Sequence, residues 1–185
     1  MARPGRGWER LNTRPATQSR HADLWHHPGR RPSPFTAGRA TGARPTTRAK
    51  GLIDTGTILA LLDADDQWHD RCVEAFPSLR LPLATTAAVL AELFHLLGEH
   101  RPAINAAWRF LRSGAITVLP ITDTDLPDLE RLMKRYDDRP MDFADATLVH
   151  LAKRESLTAI FTIDHDDFET YRIDGKRQFR IVPSR

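Results

Sequence analysis

The side chains best suited to chemistry in this chain are carboxylates, and their most telling setting is Pro140-Met141-Asp142-Phe143-Ala144-Asp145-Ala146-Thr147-Leu148-Val149-His150-Leu151-Ala152. Read as a helix that begins at Asp142, the stretch puts Asp142 and Asp145 three residues apart on one face. Phe143, Ala146, Leu148, Val149 and Leu151 remain for apolar packing. A capping box uses the same residue types, so this pair alone does not separate a structural cap from a reactive site. Acids in similar settings elsewhere shift the balance. Asp54 ends the apolar run Gly51-Leu52-Ile53, Asp164 ends Ala159-Ile160-Phe161-Thr162-Ile163, and Glu92 sits inside Ala91-Glu92-Leu93-Phe94.

If Asp54, Glu92, Asp145 and Asp164 converge, with Asp142 close by, their mutual repulsion needs an answer. At an effective dielectric of about 20, two carboxylates about 5 Å apart repel by roughly 3 kcal/mol. Cations are the simplest remedy. Hard oxygen donors, the lack of a paired-His motif and a lone cysteine, Cys72, favour Mg²⁺ or Mn²⁺ over zinc. Two such ions, about 3.5–4 Å apart, can activate a water, orient a phosphodiester and stabilise the leaving oxygen of an in-line displacement.

The elements that must position these acids alternate between strand and helix. Gly51–Asp54 reads as a short buried strand, and Thr55-Gly56-Thr57 as a turn into a helix over Ile58–Leu62. A short helix over Trp68–Phe76 stops at Pro77, and Leu81–Thr85 is a second strand. Thr85 or Thr86 caps a helix over Ala87–Leu97, which Gly98 ends; Glu92 lies within its apolar pattern, and His95 suits packing or a rim better than metal ligation. Pro102 opens a helix to about Arg112, Ala115–Leu119 is a third strand, and Thr122–Tyr136 is an amphipathic helix. After the helix at Asp142 come strand Ala159–Ile163, the polar run Asp164-His165-Asp166-Asp167-Phe168 and a last strand, Phe179–Val182. The alternation predicts an α/β fold with a mainly parallel sheet and helices on both faces. Ligands in such folds bind beyond the carboxyl ends of the strands, which places Asp54 and Asp164 on one rim.

Charge divides the chain in two. Residues 1–50 hold 11 Lys and Arg against Glu9 and Asp23, a net of +9, whereas residues 51–185 hold 16 basic against 22 acidic residues, a net of −6. The first segment, rich in Arg, Pro and Gly, cannot bury enough apolar surface to offset its ordering entropy and is expected to be disordered. It fits a basic arm for nucleic acid, a transit-like leader or a start codon placed too early, the last being preferred. Trp8, Trp25 and Phe35 are its candidates for stacking on bases. The second segment is long enough for one domain with a real core. With one cysteine there is no disulfide framework, which points to a reducing cytoplasm. No run of 18 apolar residues and no apolar leader suggest membrane insertion or export.

Ile53-Asp54-Thr55 at a domain start, Glu92 within a helix, Met141-Asp142-Phe143-Ala144-Asp145-Ala146, and Phe161-Thr162-Ile163-Asp164-His165-Asp166-Asp167-Phe168 together resemble the PIN-domain ribonucleases, and among these the VapC-type toxins of bacterial toxin–antitoxin pairs. The likeness covers about residues 51–183. It implies a three-layer PIN-like fold with a mainly parallel sheet of four to five strands over residues 51–185, and Asp54, Glu92, Asp145 and Asp164 as catalytic metal ligands for Mg²⁺ or Mn²⁺. Asp142 becomes an accessory acid, while Thr55 and Thr162 orient carboxylates or phosphate. It further implies an endoribonuclease acting on structured RNA such as tRNA or rRNA, a cognate antitoxin that covers the site, and a homodimer. Gly56 departs from the pattern, since the family often has Asn or Ser there, and so does the 50-residue leader. Arg101, Arg109, Arg112, Arg139 and Arg154 are candidates for an RNA-binding patch on the acidic domain.

Other readings remain. Asp54-Thr55-Gly56 is the tripeptide of aspartic proteases, but their fold is all-β. A haloacid-dehalogenase-type phosphatase would want an acid where Gly56 stands. The serious non-enzyme rival is a PIN-like domain that has lost catalysis and only binds RNA or a partner.

Overall fold

The computed structural model describes residues 49–138 and 141–185. The expected disorder of the leader falls outside the described residues except at Ala49 and Lys50, and Arg139 is outside them too. From Gly51 onwards the chain builds five short strands, β1 (Gly51–Ile53), β2 (Leu83–Thr85), β3 (Ile116–Val118), β4 (Ala159–Phe161) and β5 (Arg180–Val182). They form one sheet in the order β3-β2-β1-β4-β5, and every pairing is parallel. Helices α1 (Thr55–Leu62), α2 (His69–Ala75), α3 (Ala87–Leu97), α4 (Arg101–Leu111), α5 (Leu126–Arg135), α6 (Phe143–Arg154) and α7 (His165–Thr170) make the connections. The expected α/β class and parallel sheet are what the chain adopts.

The central strands β1, β2 and β4 are buried at every residue, as in parallel sheets covered on both faces. The strand order positions the site. The chain lays β2 and then β3 on one side of β1, and returns to place β4 on the other. Winding therefore reverses between β1 and β4, and the crevice beyond their carboxyl ends is where such folds take ligands. Asp54 follows β1 directly, and Thr162-Ile163-Asp164 follows β4.

Helix α6 is the most enclosed element, buried without a break from Ala144 to Ala152. Its polar members are tolerated there because each has a partner. Thr147 Oγ1 donates to Ala144 O at 2.7 Å and accepts from Thr86 Oγ1 at 2.8 Å; His150 Nε2 meets Asp125 Oδ1 at 2.9 Å. Helix α3 begins and ends where expected, with Thr86 accepting from the Val89 N–H and Gly98 at φ 54°, a left-handed conformation that only glycine adopts without cost.

Several expectations need correction. Thr55-Gly56-Thr57 is the first turn of α1 rather than a separate turn, because Asp54 caps the helix at once. Phe143 does not pack inside: it is 48% exposed. Pro77 lies within a short 3-10 turn, Phe76–Ser78, that prolongs α2, and the helix expected from Thr122 opens as a 3-10 turn, Asp123–Asp125, before α5. The strands are shorter than their apolar runs, and the polar run after Asp164 is a helix, α7.

Candidate active site

Three of the predicted acids stand at helix N-termini. Asp54 caps α1, Asp142 caps α6 and Asp164 caps α7, so backbone N–H groups and the positive end of each helix help to hold them. Asp54 is the most tightly bound. Its Oδ1 accepts from the Thr55 N–H at 2.6 Å and its Oδ2 from the Thr162 hydroxyl at 3.0 Å. The Thr162 oxygen in turn accepts from the Asp164 N–H at 3.0 Å, so one hydroxyl ties the ends of β1 and β4 together. Thr55 Oγ1 reaches Glu92 Oε2 at 2.9 Å and thereby joins α1 to α3.

Asp145 lies one turn into α6. Its N–H donates to Asp142 Oδ1 at 2.8 Å, and its Oδ2 accepts from the Tyr171 hydroxyl at 3.2 Å. Sequence reasoning did not single out Tyr171. It is fully buried, with its ring in edge contact with Tyr136 and Phe168. Nothing in the local pattern marked it, since its partner is 26 residues away. Asp167 was given no role of its own, standing as one more acid in a polar run; it contributes to the field on Asp145.

The electrostatics tie these acids into one group. Burial first, then the charges of Glu92 and Asp142, push the Asp54 carboxyl up to about 7 against the restraint of its hydrogen bonds. Burial, followed by the charges of Asp54, Asp142, Asp164 and Asp167, pushes Asp145 up to about 9. Asp54 and Asp145 are the buried pair, Glu92 and Asp164 are half-buried, and Asp142 is exposed. Among the described residues no three His, Cys, Asp or Glu side chains close into a set able to hold a metal ion. The acids face one another without forming such a set, yet their donor chemistry is that of a hard divalent cation: carboxylate oxygens only.

Beside the acids opens a cleft of about 730 Å³, whose lining includes Ala88, Ala91, Pro120, Ile121 and Phe143 together with Glu92 and Asp142. Gly56 lies in the first turn of α1, against Ile163. A Cβ there would meet Ile163 Cγ1 at 2.9 Å, so the Ile163 side chain fills the space that a larger residue would need. Of the arginines proposed for RNA, Arg101 and Arg109 lie on α4 with Arg112 at its end. Arg154 is not free for that role, being held by Asp125, Glu155 and the Pro120 carbonyl.

Short parallel strands that deliver acids to the crevice of a winding reversal, with a capped acidic helix closing it, define a domain class, and the family profile of the PIN domain matches residues 51–174. The chain belongs to the PIN-domain family. It is similar to ribonuclease VapC26 of Mycobacterium tuberculosis, strain H37Rv, with 30% identity over 135 residues that cover 71% of this chain and 99% of that one. It is similar in structure to Mycobacterium tuberculosis VapC20, described as a toxin that cleaves the sarcin–ricin loop, with a TM-score of 0.56 and 25% identity over 62% of this chain and 90% of the other. Its likeness is thus to VapC-type ribonucleases.

Proposed function

We propose that this protein is a Mg²⁺- or Mn²⁺-dependent endoribonuclease, the toxin of a toxin–antitoxin pair, with Asp54, Glu92, Asp145 and Asp164 as its metal ligands. The observation that carries the reading is the pair of buried carboxylates, Asp54 and Asp145, raised by burial and by the acids around them. A buried cluster of one sign is costly, and a bound cation offsets that cost. The resemblance to VapC ribonucleases supports RNA as the substrate.

When bound, divalent cations supply an activated water and a counter-charge for the leaving oxygen. The chain's own residues do the rest. Thr55 and Thr162 fix both oxygens of Asp54. Tyr171 fixes one oxygen of Asp145, and the Thr55 hydroxyl orients Glu92. Asp142 holds the first turn of α6 so that Asp145 faces the crevice. The cleft beside Phe143 gives the RNA chain a route to these acids. A cognate antitoxin that covers the same cleft, a homodimer that sets two sites on one RNA, a structured target such as tRNA or rRNA, and a cytoplasmic setting complete the proposal.

The test is cleavage of total RNA by the purified full-length protein, in Mg²⁺, in Mn²⁺ and in EDTA, beside Asp145→Asn. Discrete fragments that need both metal and Asp145 are the expected result. Intact RNA throughout, from folded protein free of antitoxin, would favour the inactive binding module.

A further inference from the structure

The end of the sheet remote from the acids carries a different site. At the amino ends of the strands lies a cavity of about 100 Å³, lined by Lys50, Gly51, Ser78, Arg80, Ala159 and Arg180 among others, with no acid in its lining. Its three cations come from separate segments. Lys50 precedes β1, Arg80 precedes β2, and Arg180 opens β5. Six other cations of the domain, Arg131, Lys134, Lys153, Arg154, Arg177 and Arg185, each meet a carboxylate. Among the described residues, Lys50, Arg80 and Arg180 have no such ion pair.

We infer that Lys50, Arg80 and Arg180 form a phosphate-binding site at the amino-terminal rim of the sheet. Arg80 and Arg180 lie on a segment whose net charge is −6, and with Lys50 just ahead of it they leave a local positive field, which a concave surface concentrates. Two guanidinium forks and an ammonium match the oxygens of a phosphate in charge and in donor geometry. Ser78 gives its hydroxyl proton to the Ala75 carbonyl at 2.7 Å, so the cations carry the recognition. The volume is well below that of sites for drug-sized ligands, and suits one phosphate group rather than a whole nucleotide. The phosphate belongs either to an RNA backbone or to a free phosphate ion. In the first case the site grips substrate away from the acids, beyond strands that each span about 10 Å.

The inference does not rest on the nuclease reading, and its test involves no cleavage. Full-length wild-type protein and the exposed double variant R80Q/R180Q are compared in EDTA, with Lys50→Gln as an independent variant. One arm follows thermal melting against inorganic phosphate, with chloride at matched ionic strength. The other follows fluorescence anisotropy of a labelled single-stranded RNA against KCl concentration. Phosphate should stabilise the wild type, and the variants should lose that response. If the source is RNA, affinity should fall by about fivefold and the log–log salt slope by about 0.7, as one phosphate contact is lost. Loss of the phosphate response with unchanged RNA binding assigns the site to a free phosphate ion. No phosphate response in the wild type, together with unchanged RNA binding in both variants, overturns the inference.

Discussion

At the scale of single residues, the contact that most repays attention is the Tyr171 hydroxyl on Asp145 Oδ2, 3.2 Å away. An outer group that holds a ligating carboxylate fixes its rotamer, and loss of such a group typically weakens metal binding by about 10- to 100-fold. Tyr171→Phe keeps the ring against Tyr136 and Phe168 but removes the donor. The expected result is Mg²⁺ or Mn²⁺ affinity lower by about tenfold in calorimetric titration, with a loss of folding stability of only about 1 kcal/mol. Unchanged cation affinity would make Tyr171 a packing residue alone. Its role was illegible in the sequence for a physical reason. Asp54, Asp145 and Asp164 announce themselves as acids at the ends of apolar runs or on a greasy helix, whereas a tyrosine in a core looks like any other aromatic until the fold brings its hydroxyl to a carboxylate.

At the scale of elements, the proposed site depends on α3 and α6 being held in register, since one carries Glu92 and the other Asp145. The tie is a pair of threonines. Because Thr147 donates to Ala144 O, the shared hydrogen at 2.8 Å comes from Thr86, which also caps α3 by accepting from the Val89 N–H. Thr147→Val, close in size, would leave the buried Thr86 hydroxyl without its acceptor. A cost of about 1–3 kcal/mol is expected, read as a lower urea midpoint with an unchanged m-value. Thr86→Val/Thr147→Val should cost less than the two single changes added together, because the unsatisfied group is then gone. Elements with strong local signals were legible: α3 has a threonine cap, an apolar stripe and a terminal glycine, and its limits match the expected ones. Helix α7 was not legible as a helix. Its six residues, His165–Thr170, carry too few apolar positions to show a period, and it is held by the Asp164 cap and by burial of His165 and Phe168. Phe143 failed the other way: its place in an apolar pattern suggested packing, but at the first position of α6 it faces the cleft.

At the scale of the whole molecule, the acids make stability depend on pH, and the sign distinguishes the site from an ordinary acidic surface. For Asp54 and Asp145 the folded values, about 7 and about 9, lie above the ordinary 3.8, so between those limits the folded state binds more protons than the unfolded state. Stability from these groups is therefore full below about pH 4 and is lost as pH rises through the folded values. Asp125 acts in the opposite sense. Held down to about 2, chiefly by the Thr122 N–H, it adds stability above 3.8 that disappears as pH falls through 2. In EDTA, thermal melts should thus peak in mild acid and decline from about pH 5 to 9. Asp54→Asn/Asp145→Asn should flatten that decline, because the amide needs no proton to be neutral. Divalent cations compete with those protons for the same carboxylates, so stabilisation by Mg²⁺ should be small at pH 5, grow towards pH 8 and vanish in the double variant. A wild-type melting profile in EDTA that stays flat from pH 5 to 9 would mean that Asp54 and Asp145 do not share a buried charge, and the ground for placing a cation between them would go with it.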